Sequence, residues 1–104
     1  MIATTPKPPY YAVIFTTIRK LADDEYKQMA KQMLELAQKQ TGYLGEESVA
    51  GEMGITVSYW GSLTAIENWK NNVLHKNAQN LGKEKWYEKY ALRVARVERD
   101  AFWA

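Results

Sequence analysis

Apolar residues along this chain repeat first at the two-residue spacing of a strand and then at the three-to-four-residue spacing of a helix, and the order of these switches leaves few folds open. An arm containing Pro6, Pro8 and Pro9 can neither continue a helix nor pair in a central strand. After it, Tyr10-Tyr11-Ala12-Val13-Ile14-Phe15-Thr16-Thr17 is rich in aromatic and β-branched residues and marks a first strand. Asp23-Asp24-Glu25 then places negative charge where a helix N-terminus favours it, and Tyr26, Met29, Ala30, Met33, Leu36 and Ala37 form one apolar stripe. Gly42 is placed to end that helix in a left-handed conformation.

Residues 47–50 and 55–60 flank Gly51-Glu52-Met53-Gly54, which predicts a hairpin. In its second strand Ile55, Val57 and Tyr59 point one way and Thr56, Ser58 and Trp60 the other, so Trp60 faces away from the Ile55 side. Gly61 stops the strand, and Ser62 or Thr64 can cap a second helix, with Thr64 and Glu67 at the spacing of a capping box. Ile66, Trp69 and Val73 share one face of it. The stretch from Lys76 to Gly82 reads as a frayed or second short helical piece, followed by a turn containing Trp86-Tyr87. Residues 85–103 fit both a helical stripe and an imperfect strand. A last strand from about Ala91 is the better expectation, because a helix there would leave the first strand and the hairpin with few partners.

The order strand, helix, strand, strand, helix, strand predicts an α+β domain of the ferredoxin-like βαββαβ type over residues 10–104, behind a flexible proline-rich arm of residues 1–9. Helices then cover only one face of the sheet. A second copy of so small a chain is the simplest cover for the other, which predicts a homodimer.

Composition narrows the function. At 104 residues the chain suits one domain, and no apolar run approaches the roughly 20 residues of a membrane span. Residues 1–9 lack the features of a secretory signal, so a cytoplasmic location is expected. There is no cysteine, which excludes disulfides, a thiolate nucleophile and cysteine-based zinc or iron–sulfur sites. Residues 70–104 are mildly basic, but Glu84, Glu88, Glu98 and Asp100 dilute them, and no concentrated stripe for nucleic acid results. Four Trp and seven Tyr are many for this length and serve either as core and interface filler or as the walls of an apolar pocket.

Several segments together resemble the antibiotic-biosynthesis-monooxygenase (ABM) family. They are Tyr11-Ala12-Val13-Ile14-Phe15-Thr16, Gly54-Ile55-Thr56-Val57-Ser58-Tyr59-Trp60-Gly61-Ser62-Leu63, Ile66-Glu67-Asn68-Trp69-Lys70, His75-Lys76-Asn77-Ala78-Gln79, Trp86-Tyr87 and Arg93-Val94-Ala95-Arg96-Val97-Glu98-Arg99. The resemblance implies a dimeric α+β barrel with a pocket between sheet and helices in each protomer. It also implies two chemistries: oxygenation of electron-rich phenolic compounds without a prosthetic group, or haem binding and degradation. The haem branch carries an Asn on the first strand and an axial His about ten residues after the helical Trp. Here Trp69 matches, but Gln79 stands at the expected histidine position and the first strand ends in Thr16-Thr17, so haem is the weaker expectation.

Elimination supports the same order. No dinucleotide fingerprint, P-loop, zincin motif or nucleophile elbow is present, and one histidine cannot build a two-histidine iron site within a protomer. A cofactor-free oxygenase needs an apolar pocket, a base for the phenol proton and donors for the resulting anion. His75 is the one side chain whose ordinary pKa suits such a base near neutrality. Trp60, Trp69 and Tyr59 could form walls, with Thr17 in the same pocket and Arg19 beside the anion. A lone helical histidine is more often structural, and Trp69 at helical spacing with Ile66 and Val73 is more often core. Trp60 is either a pocket wall or a dimer contact. Three readings follow, in order: an oxygenase of small aromatic compounds, a haem binder or degrader, and a non-catalytic dimeric ligand-binding module.

Overall fold

In a computed structural model, residues 1–19, 24–75 and 87–103 are described, with the side chains of residues 24–26 and 73–75 outside that description. The elements run β1 (Tyr10–Arg19), α1 (Asp24–Gln38), β2 (Tyr43–Val49), β3 (Met53–Trp60), α2 (Leu63–His75) and β4 (Tyr87–Val97). The sheet has the order β2-β3-β1-β4, and every neighbouring pair is antiparallel. This is the ferredoxin-like arrangement expected from the sequence.

The central strand β1 pairs along nearly its whole length on both sides, from Tyr11 opposite Trp60 to Ile18 opposite Met53, and from Tyr10 opposite Val97 to Arg19 opposite Tyr87. That second ladder settles residues 87–97 as strand. β4 begins four residues earlier than Ala91, and Tyr87, expected in a turn, is its first residue. The lengthening has a physical reason: β1 extends to Arg19, two residues past Thr17, and its backbone groups there need partners. The hairpin is likewise tighter than expected, because Met53 and Gly54 belong to β3 and only residues 50–52 turn. The piece proposed for Lys76 to Gly82, and Trp86, lie outside the described residues.

Register divides the side chains between two faces. Val13, Thr17, Ser58 and Trp60 look toward the helices, where Ala37 of α1 and Ala65 and Ile66 of α2 complete the buried core with Val13 and Trp60. Ser62 is the cap of α2, its hydroxyl accepting from the Ala65 amide at 3.1 Å, so of the two candidate caps the one at the end of the β3–α2 turn serves. Gly42 ends the α1 turn at a φ of +92°, and a Cβ there would sit 2.6 Å from that of Ala65. Helix α2 therefore packs against bare backbone at this point, a closeness only glycine permits.

The opposite face carries Tyr10, Ala12, Ile14, Thr16 and Ile18 of β1 with Met53, Ile55, Val57 and Tyr59 of β3. Its end near Tyr10 is covered by the chain itself. The Ala3 amide donates to Glu47 Oε2 at 2.9 Å, and the Tyr10 hydroxyl donates to Asp100 Oδ2 at 2.7 Å, so both the proline arm and the segment after β4 are tied to this face. Among the described residues no helix is long and apolar enough to cross a membrane.

Candidate active site

Trp60 closes β3 and is fully buried, its indole Nε1 donating to the buried Ser58 hydroxyl at 2.9 Å. The Trp69 ring lies against it with centroids 5.3 Å apart and a tilt of 34°, and Tyr43 meets it edge-on at 5.6 Å. The two tryptophans named from the sequence are thus brought together on the helix side, Trp60 as the centre of the core and Trp69 as its partly buried neighbour. One atom in this cluster is out of balance. Trp69 Nε1 is buried and has no acceptor among the described residues.

A second aromatic group lies farther along the same face. Phe15 meets Tyr87 edge-on at 5.6 Å and Tyr90 at 5.7 Å, and β4 continues this surface with Leu92 and Val94, which remain 43% and 48% exposed. Register places Tyr90 opposite Thr17, Leu92 opposite Phe15 and Val94 opposite Val13, so all of them face the helix side. Thr17 is buried on this face. Among the described residues the helix side is therefore covered over β3 and partly exposed over β4, with an aromatic floor between.

The remaining candidates are distributed differently. Arg19, at the end of β1, donates from Nη2 to the Gly51 carbonyl at 3.0 Å and links the strand to the hairpin turn. Tyr59 stands on the helix-free face, as the alternation with Trp60 requires, and its hydroxyl donates to Glu47 Oε1 at 2.7 Å. His75 is the last residue of α2 and its side chain lies outside the described residues. The 13 residues of that helix span about 18 Å, which sets the His75 backbone at the far end of α2 from Trp60.

Glu47 and Tyr59 were not singled out together by sequence, since they lie 12 residues apart and nothing in the hairpin pattern pairs a carboxylate with a phenol. Burial, with the adjoining Glu47 carboxylate, pushes the Tyr59 hydroxyl up to about 12, while the hydrogen bonds from Tyr59 and the Ala3 amide hold Glu47 below its ordinary range. The signs are opposite. Tyr59 contributes stability that is complete below about pH 10 and is lost as pH rises toward 12, whereas the Glu47 contribution is present at neutrality and is lost as pH falls through its lowered pKa. An absorbance titration of tyrosinate should show a late-ionising residue in the folded protein that disappears in Tyr59→Phe. An unchanged titration in that variant would refute the pairing.

Elsewhere, an open groove of about 260 Å³ runs between Met1–Thr4 of the arm and Leu44–Glu46 of β2, away from the aromatic floor. Burial raises the Glu46 carboxyl in it. No cluster of metal-ligating side chains occurs among the described residues.

No family model matches the chain. It is 48% identical over 100 residues to the uncharacterized protein YqjZ of Bacillus subtilis (strain 168), an alignment covering 94% of this chain and 88% of that protein. Solved structures of the same shape are more distant in sequence. A variant of SnoaB, a cofactor-independent oxygenase from Streptomyces nogalater, superposes with a TM-score of 0.74 at 6% identity, covering 88% of this chain and 95% of its own. Rv0793 from Mycobacterium tuberculosis does so with a TM-score of 0.75 at 13% identity, covering 89% and 99%. A Bordetella bronchiseptica protein provisionally described as an antibiotic biosynthesis monooxygenase gives 0.65 at 11% identity, covering 91% and 100%. With that fold shared across such low identity, and with close likeness in sequence to one relative over nearly its whole length, the chain belongs to the family of YqjZ and has the ABM-like ferredoxin-like fold.

Proposed function

We propose that this protein is an ABM-type oxygenase that acts, as a homodimer and without a prosthetic group, on a small electron-rich aromatic compound. The observation that carries the reading is the Trp69 indole N–H, buried with no acceptor among the described residues, on the side of the sheet that also carries the partly exposed aromatic floor. A buried donor left unpaired costs about 1–3 kcal/mol, and native proteins rarely keep one unless a ligand or water completes it. A bound phenolate oxygen would complete it. Phe15, Tyr90, Leu92 and Val94 supply an apolar bed for a planar ring, and the fold is one that SnoaB, a cofactor-independent oxygenase, also has.

In this mechanism the His75 imidazole takes the hydroxyl proton of the bound aromatic, and a donor such as Trp69 Nε1 holds the anion. The anion gives one electron to dioxygen, the resulting radical and superoxide combine into a peroxide anion that takes back the proton held on His75, and loss of water from this hydroperoxide leaves a carbonyl. Overall a CH₂ becomes C=O, or the para CH of a phenol becomes the second carbonyl of a quinone, with one oxygen atom of dioxygen leaving as water, dioxygen as the only oxidant and the substrate supplying all four electrons. Thr17 and Arg19 lie at the opposite end of β1 from Tyr11, the partner of Trp60, and in this reading they bound the pocket there.

Oxygen uptake over a panel of phenols, naphthols and anthrones tests it. Turnover above the uncatalysed rate with no added flavin, nicotinamide or metal is the expected result, and a flat trace across the panel would favour a binding role. A one-to-one haem complex with a shifted Soret band, lost in His75→Ala, would favour the haem reading instead.

A further inference from the structure

Two apolar features, one beside the Tyr10 end of the helix-free face and one at its hairpin end, have little cover among the described residues. At one end the Tyr10–Asp100 hydrogen bond holds the segment after β4 beside the start of β1, and just beyond it Phe102 and Trp103 are 61% and 97% exposed. At the other end Val49, Met53 and Ile55, around the β2–β3 hairpin, are all exposed on the same face as Tyr10. The run of β3 from Met53 to Trp60, roughly 23 Å, separates the two ends. The end near Tyr10 is also built up by the arm, through the bond from Ala3 to Glu47, and no such contact lies at the hairpin end among the described residues.

We infer that in the homodimer proposed above, on which this inference rests, Phe102 and Trp103 of each protomer seat on the partner subunit's Val49, Met53 and Ile55. A two-fold axis lying between the faces and across the strands exchanges their ends. It sets the raised, aromatic end of each protomer on the hairpin end of the other, and the contact is made twice by symmetry. The areas are sufficient. An aromatic side chain can bury about 150–250 Å². With three aliphatic side chains, the two exposed aromatics bring roughly 600 Å² of apolar surface from each protomer, against about 800 Å² per partner in a stable interface. Half-buried Ile14, Ile18 and Val57 on the same face supply the remainder. An axis running along the strands would instead stack the two raised ends and leave both hairpins uncovered.

Because the chain contains no cysteine, one introduced per chain can form only an intermolecular disulfide. Trp103→Cys and Met53→Cys proteins should be mixed, allowed to exchange subunits and oxidised mildly. The mixture should yield a disulfide-linked dimer in at least tenfold excess over either variant alone, since the Cα atoms must approach to within about 7 Å. In sedimentation, Phe102→Ala with Trp103→Ala should raise the dimer dissociation constant at least tenfold. A parent dimer whose mixture does not link, or in which Trp103→Cys links as readily to itself, overturns the seating and leaves the dimer reading standing. A parent that sediments at the 12.0 kDa of one chain overturns both.

Discussion

Trp60→Ala should lower unfolding free energy by about 3–5 kcal/mol, the range for deleting a fully buried large aromatic side chain. Such domains hold only about 5–15 kcal/mol in total, so this one change removes a large part of the stability. At about 4–8 °C per kcal/mol for a chain of this size, the melting temperature should fall by roughly 12–40 °C. The mechanism is specific: the Trp60 ring is the surface on which Trp69, Tyr43, Val13 and Ile66 converge, and its indole N–H is the donor to the buried Ser58 hydroxyl. Trp60→Phe should cost less but more than its area alone suggests, because it leaves the Ser58 oxygen buried without that donor. A loss under about 1 kcal/mol for the alanine variant, measured by denaturant titration, would show that Trp60 is not the centre of the core.

His75→Ala should lower kcat/KM by about 10²–10⁴ with an unchanged melting temperature, the range for loss of a positioned general base. Trp69→Phe separates the donor from the ring. It keeps most of the packing against Trp60 while removing a buried N–H that has no acceptor among the described residues, so stability should hold or rise slightly as activity falls. Activity per folded molecule, with circular dichroism to count the folded fraction, is the measurement. Full activity in both variants would end the oxygenase mechanism as drawn.

Much of the fold was legible because the signals were local. The alternation in β3 put Trp60 and Tyr59 on opposite faces, and the structure has Trp60 in the core and Tyr59 bonded to Glu47 on the other side. The stripe of Ile66 and Trp69 led to the buried face of α2. Residues 85–103 read both ways because β4 is an edge strand with charged residues throughout, and only its pairing with β1, some 75 residues distant, decides it. The start of β2 was missed because an irregularity between Tyr43 and Gly45 breaks the two-residue period there. The Tyr10–Asp100 bond joins residues 90 positions apart and has no local signature at all. For the candidate site, sequence brought Trp60 and Trp69 to one cluster but could not tell that the first is sealed while the second has no acceptor among the described residues, since that depends on which acceptors lie nearby.

The irregularity in β2 also bears on how much of the sheet's edge is open to another chain. β2 is an outer strand, and an outer strand with regular backbone spacing is a template on which another chain can add. The register slip between Tyr43 and Gly45, with Gly45 at a φ of +149°, breaks that spacing near the start of the strand, and Ala3 packs so closely there that a Cβ on Gly45 would lie 3.1 Å from its own. An incoming strand would meet an irregular rim with Ala3 against it at this end, so only the shorter run from Glu46 to Val49 offers the regular spacing on which a fibre could grow.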